Sequence, residues 1–290
     1  MQIIINILIT FSIVLLSANS FRIIYHVSRF FHIAHAAIFT LAAYFSFFFF
    51  QQAQLNLTFA LILAIILTVG VGVLMESVVY KNLRKFNAQP LSLLIASLGI
   101  YVILQNIISL YFGDATLTIR SGIVHPGVQV LDAFITPIQV YTILISLSLF
   151  ILTIVFMKFT KIGRFMSAIS ANPDLAVIFG VNSQKVFLWA FAIGSGLAAV
   201  AGILVAMDTD MQPTMGFNLL LYGVVAMIIG GIGSHWGLLG GAILLATVQH
   251  FGAFYLGNNW MDAIAYFTLI IFLICKPLGF SGRQLKKTEI

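Results

Sequence analysis

Few side chains in this 290-residue chain could do chemistry, and they sit inside or beside long apolar runs. His32 and His35 stand three residues apart, which puts two imidazoles near one face of a helical turn, where they could act as metal ligands. No His-Glu-x-x-His pattern and no further ligand cluster accompanies them, so no metal is expected. Next to Arg29, the pair reads instead as lining an interior boundary. Glu76, Gln105, Asn106, Asn218, Gln249 and His250 fall within or at the ends of apolar runs. Such groups are costly in hydrocarbon and turn toward protein or water. Glu76 precedes Lys81 by five residues and fits an interfacial acid paired with Lys81 or Arg84. Gln105 and Asn106 fit amides that bridge helices or meet a passing solute, bridging being the simpler account. No Ser/His/Asp set and no paired carboxylates stand out, so the chain does not read as an enzyme. It also lacks Gly-x4-Gly-Lys-Ser/Thr, the loop whose backbone cradles nucleotide phosphates, and no cofactor is expected in this chain.

The elements that must position these residues follow from composition. Apolar residues make up 61% of the chain and charged ones 8%, against about 25% charged in a soluble domain. Mean hydropathy is +1.10. A soluble fold of this make-up would expose large apolar patches, which excludes a cytosolic enzyme, a secreted domain and a disordered scaffold. Cys275 is the only cysteine, so there is no disulfide framework. The net charge of +6 is spread singly or in small groups between apolar runs, not in one aromatic-laced patch, and nucleic acid is not an expected partner. The start, Met1-Gln2-Ile3, has no positive region before its apolar run, so the first segment is expected to stay as a membrane helix.

A helix needs about 20 apolar residues to cross hydrocarbon. Runs at 3–20, 30–50, 55–79, 91–112, 138–157, 186–207, 217–232, 237–256 and 260–277 meet or approach this. The fold class is therefore all-α, a polytopic integral membrane protein with about 8–10 transmembrane helices, some broken or re-entrant. The breaks are expected at 20–35, where Arg22, His26, Arg29, His32 and His35 interrupt the apolar sequence, and in the short, Gly-rich 217–232 run. No linker divides the chain, so 1–290 reads as a single transmembrane domain.

With nine crossings, Arg22, Arg29, Lys81, Arg84, Lys85, Lys158, Lys161, Arg164, Lys185, Lys276, Arg283, Lys286 and Lys287 fall on one side, and Arg120 alone on the other. The positive-inside rule then places the C-terminus in the cytoplasm and the N-terminus outside. Asp114, Asp132, Asp208, Asp210 and Asp262 fall outside. The two longest connections are 113–137, outside, and 158–185, inside; connections of that length usually carry function or structure of their own.

The inner connection has its own helix signals. Asn172 suits an N-cap, Pro173 the first helical position, Asp174 the first turn and Gly180 the left-handed stop. Pro173–Phe179 reads as a helix of two turns bearing Leu175, Ala176, Ile178 and Phe179, with another short helix over Arg164–Ala171. With Lys158, Lys161, Arg164 and Lys185 beside it, this segment fits two readings. It could be an interfacial helix resting on anionic lipid, or a knob for a groove on a cytoplasmic partner.

Glycines set the remaining pattern. Gly194, Ala198, Gly202 and Ala206 share one helix face, and Gly233, Gly237 and Gly241 repeat the spacing. Small residues four apart let helix backbones approach in lipid, and packing within one subunit is preferred here to a subunit interface. Glycine density from Gly216 to Gly241 favours a helix–loop–helix break around Gly230–Gly237. A broken helix of this kind can offer backbone groups to a zwitterionic solute.

The inner connection, with Gly163-Arg164, Ser167-Ala168, Asn172, Ala176 and Gly180-Val181-Asn182, resembles that of the shorter, LivH-type permease subunit of branched-chain amino-acid ABC transporters. The likeness continues through Phe191–Asp208, Ile228–Gly241, Phe31–His35, Glu76 with Tyr80–Arg84, and Gln105-Asn106. Two positions depart from the family pattern: His32 stands where Asn is usual, and Ala36 where Gly is usual.

The resemblance implies one permease domain over 1–290 with a coupling loop at about 158–185, in a bacterial-type inner membrane. It implies that Arg164, Ser167, Ala168, Asn172, Pro173, Leu175, Ala176 and Gly180 meet an ATPase. It also implies a substrate path past His32, His35, Gln105, Asn106, Gly230, Gly231 and Gly233. The implied partners are a second, similar permease, two cytoplasmic ATPases that carry ATP and Mg, and an extracytoplasmic solute-binding protein. The implied cargo is a branched-chain or other apolar amino acid. Two alternatives are a urea or short-amide permease of similar type, and a stand-alone secondary transporter or channel.

Overall fold

The computed structural model describes residues 1–120, 127–130, 133–277 and 279–280. All nine expected runs are helical. In chain order the helices are α1 (Gln2–Ser28), α2 (His35–Phe47), α3 (Leu57–Leu74), α4 (Lys81–Lys85), α5 (Pro90–Phe112), α6 (Pro137–Phe159), α7 (Lys161–Ala171), α8 (Pro173–Ile178), α9 (Ser183–Asp208), α10 (Met215–Gly230), α11 (His235–Leu256) and α12 (Met261–Cys275). A π-helical turn, Phe48–Gln52, extends α2, and another, Met75–Tyr80, joins α3 to α4. The outer connection holds an antiparallel hairpin of β1 (Val128–Val130) and β2 (Ala133–Ile135).

Among the described residues, seven helices are long and apolar enough to cross a membrane: Gln2–Ser28, Leu57–Lys85, Pro90–Phe112, Pro137–Phe159, Ser183–Asp208, His235–Leu256 and Asn258–Cys275. The other two expected runs form the shorter helices α2 and α10. The first helix runs past the expected end at residue 20 because Arg22 is buried and no helix breaker intervenes before Ser28. The irregular stretch expected at 20–35 therefore narrows to residues 29–34. Arg29 ends α1 in the left-handed region at φ 56° while its N–H still donates to the Tyr25 carbonyl.

By its contacts the chain forms two compact units, each assembled from separated stretches. One comprises 1–19, 125–154 and 221–290, the other 20–124 and 155–220. In the second unit α2, α3 and α9 pack against one another through small residues. Ala42, Ala64 and Ala199 are fully buried together with Ile203. Gly202 faces the Phe39 carbonyl and Gly194 faces Ile24 and the Ser20 carbonyl so closely that a side chain on either would collide. The small-residue face of α9 thus packs within the subunit, where backbone proximity supplies the attraction that water exclusion supplies in soluble proteins. Large apolar side chains cover the outer surfaces, with Leu110 83% and Ile66 60% exposed, as lipid-facing positions require.

Candidate functional site

The inner connection folds as an elbow. Thr160 caps α7 by accepting from the Gly163 N–H (3.0 Å), and Gly163 lies against the backbone of Phe156 and Met157, where no side chain fits. Met166 and Ile169 of α7 point inward, leaving Lys161, Arg164, Phe165 and Ser167 exposed. Asn172 serves two helices. Its N–H donates to the Ala168 carbonyl at the end of α7, and its Oδ1 accepts from the Leu175 N–H (3.0 Å) at the start of α8. Gly180 stops the short helix at φ 83°, and Asn182 then caps α9 through the Lys185 N–H. The expected helix ends at Ile178, with Phe179 as its cap.

The elbow's outer surface is apolar: Leu175, Val177, Ile178 and Phe179 are all exposed, Phe179 at 84%. Of the residues expected to meet a partner, Arg164, Ser167, Pro173, Leu175 and Gly180 are exposed, and Ala168 and Asn172 are half-buried. Ala176 is buried and turns inward. Val177, Ile178, Phe179 and Phe165 are the larger exposed contacts. A helix of two turns has too few buried positions to hide the five consecutive apolar residues 175–179, and that signal was available in the sequence.

Residues 29–34 form a second cluster in the same unit. His32 and His35 are both buried, with ring centroids 5.8 Å apart. Each is tied elsewhere: His32 Nδ1 to the Tyr80 hydroxyl (3.1 Å), His35 Nε2 to the Ser20 hydroxyl (3.0 Å). Phe30, Tyr80 and Phe191 ring His32 at centroid distances of 5.0–5.8 Å among themselves. Ser97 of α5 takes up the irregular backbone: its hydroxyl accepts from the Ile33 N–H (3.1 Å), donates to the Leu94 carbonyl of its own helix (2.8 Å) and lies 3.4 Å from the Phe31 carbonyl.

Glu76, on the π-helical turn, meets one of its two expected partners. It is fully buried, ion-paired with Arg84, and accepts from the Gln184 amide at 3.4 Å. The Arg84 guanidinium also lies 4.0 Å from the centre of the Phe187 ring, so the acid is sealed between α4 and the start of α9. Gln105 is half-buried and Asn106 exposed. The Asn106 amide donates to the Val102 carbonyl one turn back (2.7 Å), so the expected bridge to another helix is replaced by a bond within α5.

The other unit holds the glycine break. The helix α10 stops at Gly230, Gly231 takes φ 88°, and Ser234 caps α11 through the Gly237 N–H (3.1 Å). Gly230 and Gly237 meet backbone to backbone, and Gly241 meets the Ala226 carbonyl. Gly233 alone has open space around its α-carbon. Backbone groups at the break are largely used internally: Ile229 O accepts from the Phe280 N–H (3.0 Å), and the Gly231 N–H donates to Met227 O (2.9 Å). The break stands where the sequence places it, but Gly230 serves close helix packing.

After α5 and α9 the chain forms a small clasp. Leu117 and Met211 exchange both backbone hydrogen bonds (3.0 and 2.8 Å), Gln212 donates to the Thr116 hydroxyl (3.0 Å), and Arg120 lies 3.6 Å from Asp210. Asp132 and the basic residues Arg283, Lys286 and Lys287 lie outside the described residues.

Long apolar helices, a side-chain-pinned break and an exposed capped elbow define a polytopic membrane protein of the transporter class. A family model described as the branched-chain amino acid transport system permease component matches residues 3–273, and the chain belongs to that family. It is 26% identical to the high-affinity branched-chain amino acid transport system permease protein LivH of Salmonella typhimurium, over 92% of this chain and 91% of that one. It is 27% identical to BraD, the corresponding permease protein of Pseudomonas aeruginosa, with the same coverage. Its fold matches PsaBC from Streptococcus pneumoniae with a TM-score of 0.55, at 12% identity, covering 98% of this chain and 95% of that one.

Proposed function

We propose that this chain is the membrane-spanning permease subunit of an ATP-driven importer for branched-chain or other apolar amino acids, coupled to separate ATPases through the α7–α8 elbow. One observation carries the proposal: a rigidly capped elbow presents Leu175, Val177, Ile178 and Phe179 to the outside beside Lys161 and Arg164. An apolar knob with a basic flank matches a groove on a folded partner. Family membership favours an ATPase as that partner over lipid headgroups. ATP and Mg would be held by two such ATPases, because this chain has no phosphate loop of its own.

A second, similar permease completes the pathway in this reading, within a bacterial-type inner membrane. Where α2 with its π-helical extension and α10 also cross, as nine crossings require, the 13-to-1 distribution of basic residues supports an elbow and C-terminus in the cytoplasm and an N-terminus outside. A solute-binding protein would dock on the outer segments bearing Asp114, Asp208 and Asp210. A substrate path past His32, His35, Gln105, Asn106, Gly230, Gly231 and Gly233 requires the helices around the two buried histidines to part during transport.

The test is co-purification of the complex from membranes. An ATPase subunit is expected with the wild-type chain and is lost from the double variant Arg164→Asp/Leu175→Asp, which remains monodisperse because both positions are exposed. Retention of the ATPase by that variant would overturn the coupling role of the elbow.

A further inference from the structure

Resting on that reading of the elbow, we infer that Arg29 is a positioning residue that transmits movement of α7–α8 into the broken segment 29–34. Ser170 lies in the last turn of α7, two residues before the Asn172 joint, where a helical carbonyl has no partner within its own helix. The Arg29 guanidinium supplies one in trans: Nη2 donates to both the Ser170 carbonyl and its hydroxyl, the latter at 2.9 Å. A cation at a helix C-terminus also meets the favourable end of the helix dipole. His26 Nδ1, one turn earlier on α1, meets the same hydroxyl at 3.2 Å. The C-terminal end of the elbow's longer helix is therefore gripped by two side chains from the end of α1.

Arg29 is also one of the few non-glycine residues among those described that adopt a left-handed backbone, a conformation that costs a non-glycine residue about 1 kcal/mol or more. Terminating a helix there ordinarily selects Gly or Asn. An arginine in that place is accounted for by its side chain, which reaches the Ser170 carbonyl from this backbone geometry.

From Arg29 inward, successive residues hold different helices. Phe30 packs on Tyr80 of the π-helical turn, Ile33 bonds Ser97 of α5, and His32 bonds Tyr80 and packs at a tilt against Phe191 of α9. His35, which opens α2, bonds Ser20 of α1. A displacement of Ser170 thus pulls on a segment that touches the π-helical turn, α5 and α9. Arg29 is half-buried and holds Ser170 of α7, whereas the exposed apolar residues Leu175, Val177 and Ile178 lie on α8.

The test uses the whole importer, with permeases, ATPases and binding protein, reconstituted in vesicles. Arg29→Gln is expected to keep its ATPases and to hydrolyse ATP, but to lower amino-acid uptake per ATP about tenfold, the scale set by losing a hydrogen bond to a charged group. Arg29→Lys, which keeps a cation near the Ser170 carbonyl, is expected to recover part of the ratio. An unchanged uptake-to-hydrolysis ratio in Arg29→Gln overturns the inference.

A measurement on the unmutated complex stands independently of variant folding. Hydrogen exchange is compared between nucleotide-free complexes and complexes trapped with ATP and vanadate. Peptides covering 165–178 and 29–35 are expected to change together. A change confined to 165–178 overturns the role of Arg29, whereas no change at 165–178, or no ATPase bound to the wild-type chain, overturns the coupling reading and this inference with it.

Discussion

The chain interrupts its helices in two contrasting ways. At 29–34 the interruption is held by side chains: Arg29 to Ser170, His32 to Tyr80, Ser97 to the backbone N–H of Ile33. At 231–234 it is held by the lack of side chains, with Gly230 against Gly237 and Gly241 against Ala226. Side-chain bonds can be exchanged one at a time, and each contributes about 1 kcal/mol net. Two backbones in direct contact have no such intermediate states, because any added atom must displace main chain. The first arrangement suits a segment that changes partners, the second a fixed junction.

Three substitutions sharpen this contrast. Gly237→Val is expected to have the largest effect, because its Cβ would meet the Gly230 carbonyl and main chain does not yield. A loss of at least about 3 kcal/mol is expected, the upper range for overpacking, read as failure to recover monodisperse protein in detergent. Normal yield and melting temperature for this variant would show that the glycine contact is not tight. Tyr80→Phe removes the hydroxyl that bonds His32 and leaves a buried imidazole nitrogen without its partner. It is expected to cost about 1–2 kcal/mol, measured as a lower melting temperature of otherwise well-folded protein. Gly233→Ala, three residues from the tight contact but with open space around it, is expected to change stability by less than about 0.5 kcal/mol. A large effect there would mean that the break at 231–234 depends on glycine flexibility throughout and not on the Gly230–Gly237 contact.

Much of this was legible in the residues, for physical reasons. Long apolar runs specify membrane helices because hydrocarbon demands internal backbone bonding, so each of the nine runs carries a helix, seven of them long enough to cross. The elbow was legible because Asn172, Pro173, Asp174 and Gly180 act locally, each through its own backbone. The break around Gly230–Gly237 was legible because glycine density is also a local property.

Partners set by tertiary packing were not legible. Glu76 was legible as a partner of Arg84, but its burial was not, because the π-helical turn and the arrival of Gln184 and Phe187 from α9 enclose it. Asn106 looked like a bridge between helices, yet it satisfies itself on Val102. Arg29 was legible as an interruption of the apolar sequence, but its target was not, because Ser170 lies 141 residues away along the chain. The partly shorter count of full-length spans has a similar origin. The His35–Phe47 helix is cut off on one side by the irregular segment that Ser97 stabilises, a contact hydropathy does not register.

The clasp beyond α5 and α9 has a consequence for how this unit can deform. Leu117, Met211, Thr116 and Gln212 fasten the chain just past Phe112 and Asp208, so those two helix ends are held at a fixed separation. Any spreading of α5 from α9 must then grow with distance from the fastened ends, as in a pair of tongs. It is greatest at Pro90 and Ser183, and Ser183 follows directly on the elbow. A push at the free ends would then open an angle between the two helices while a few hydrogen bonds keep their other ends together.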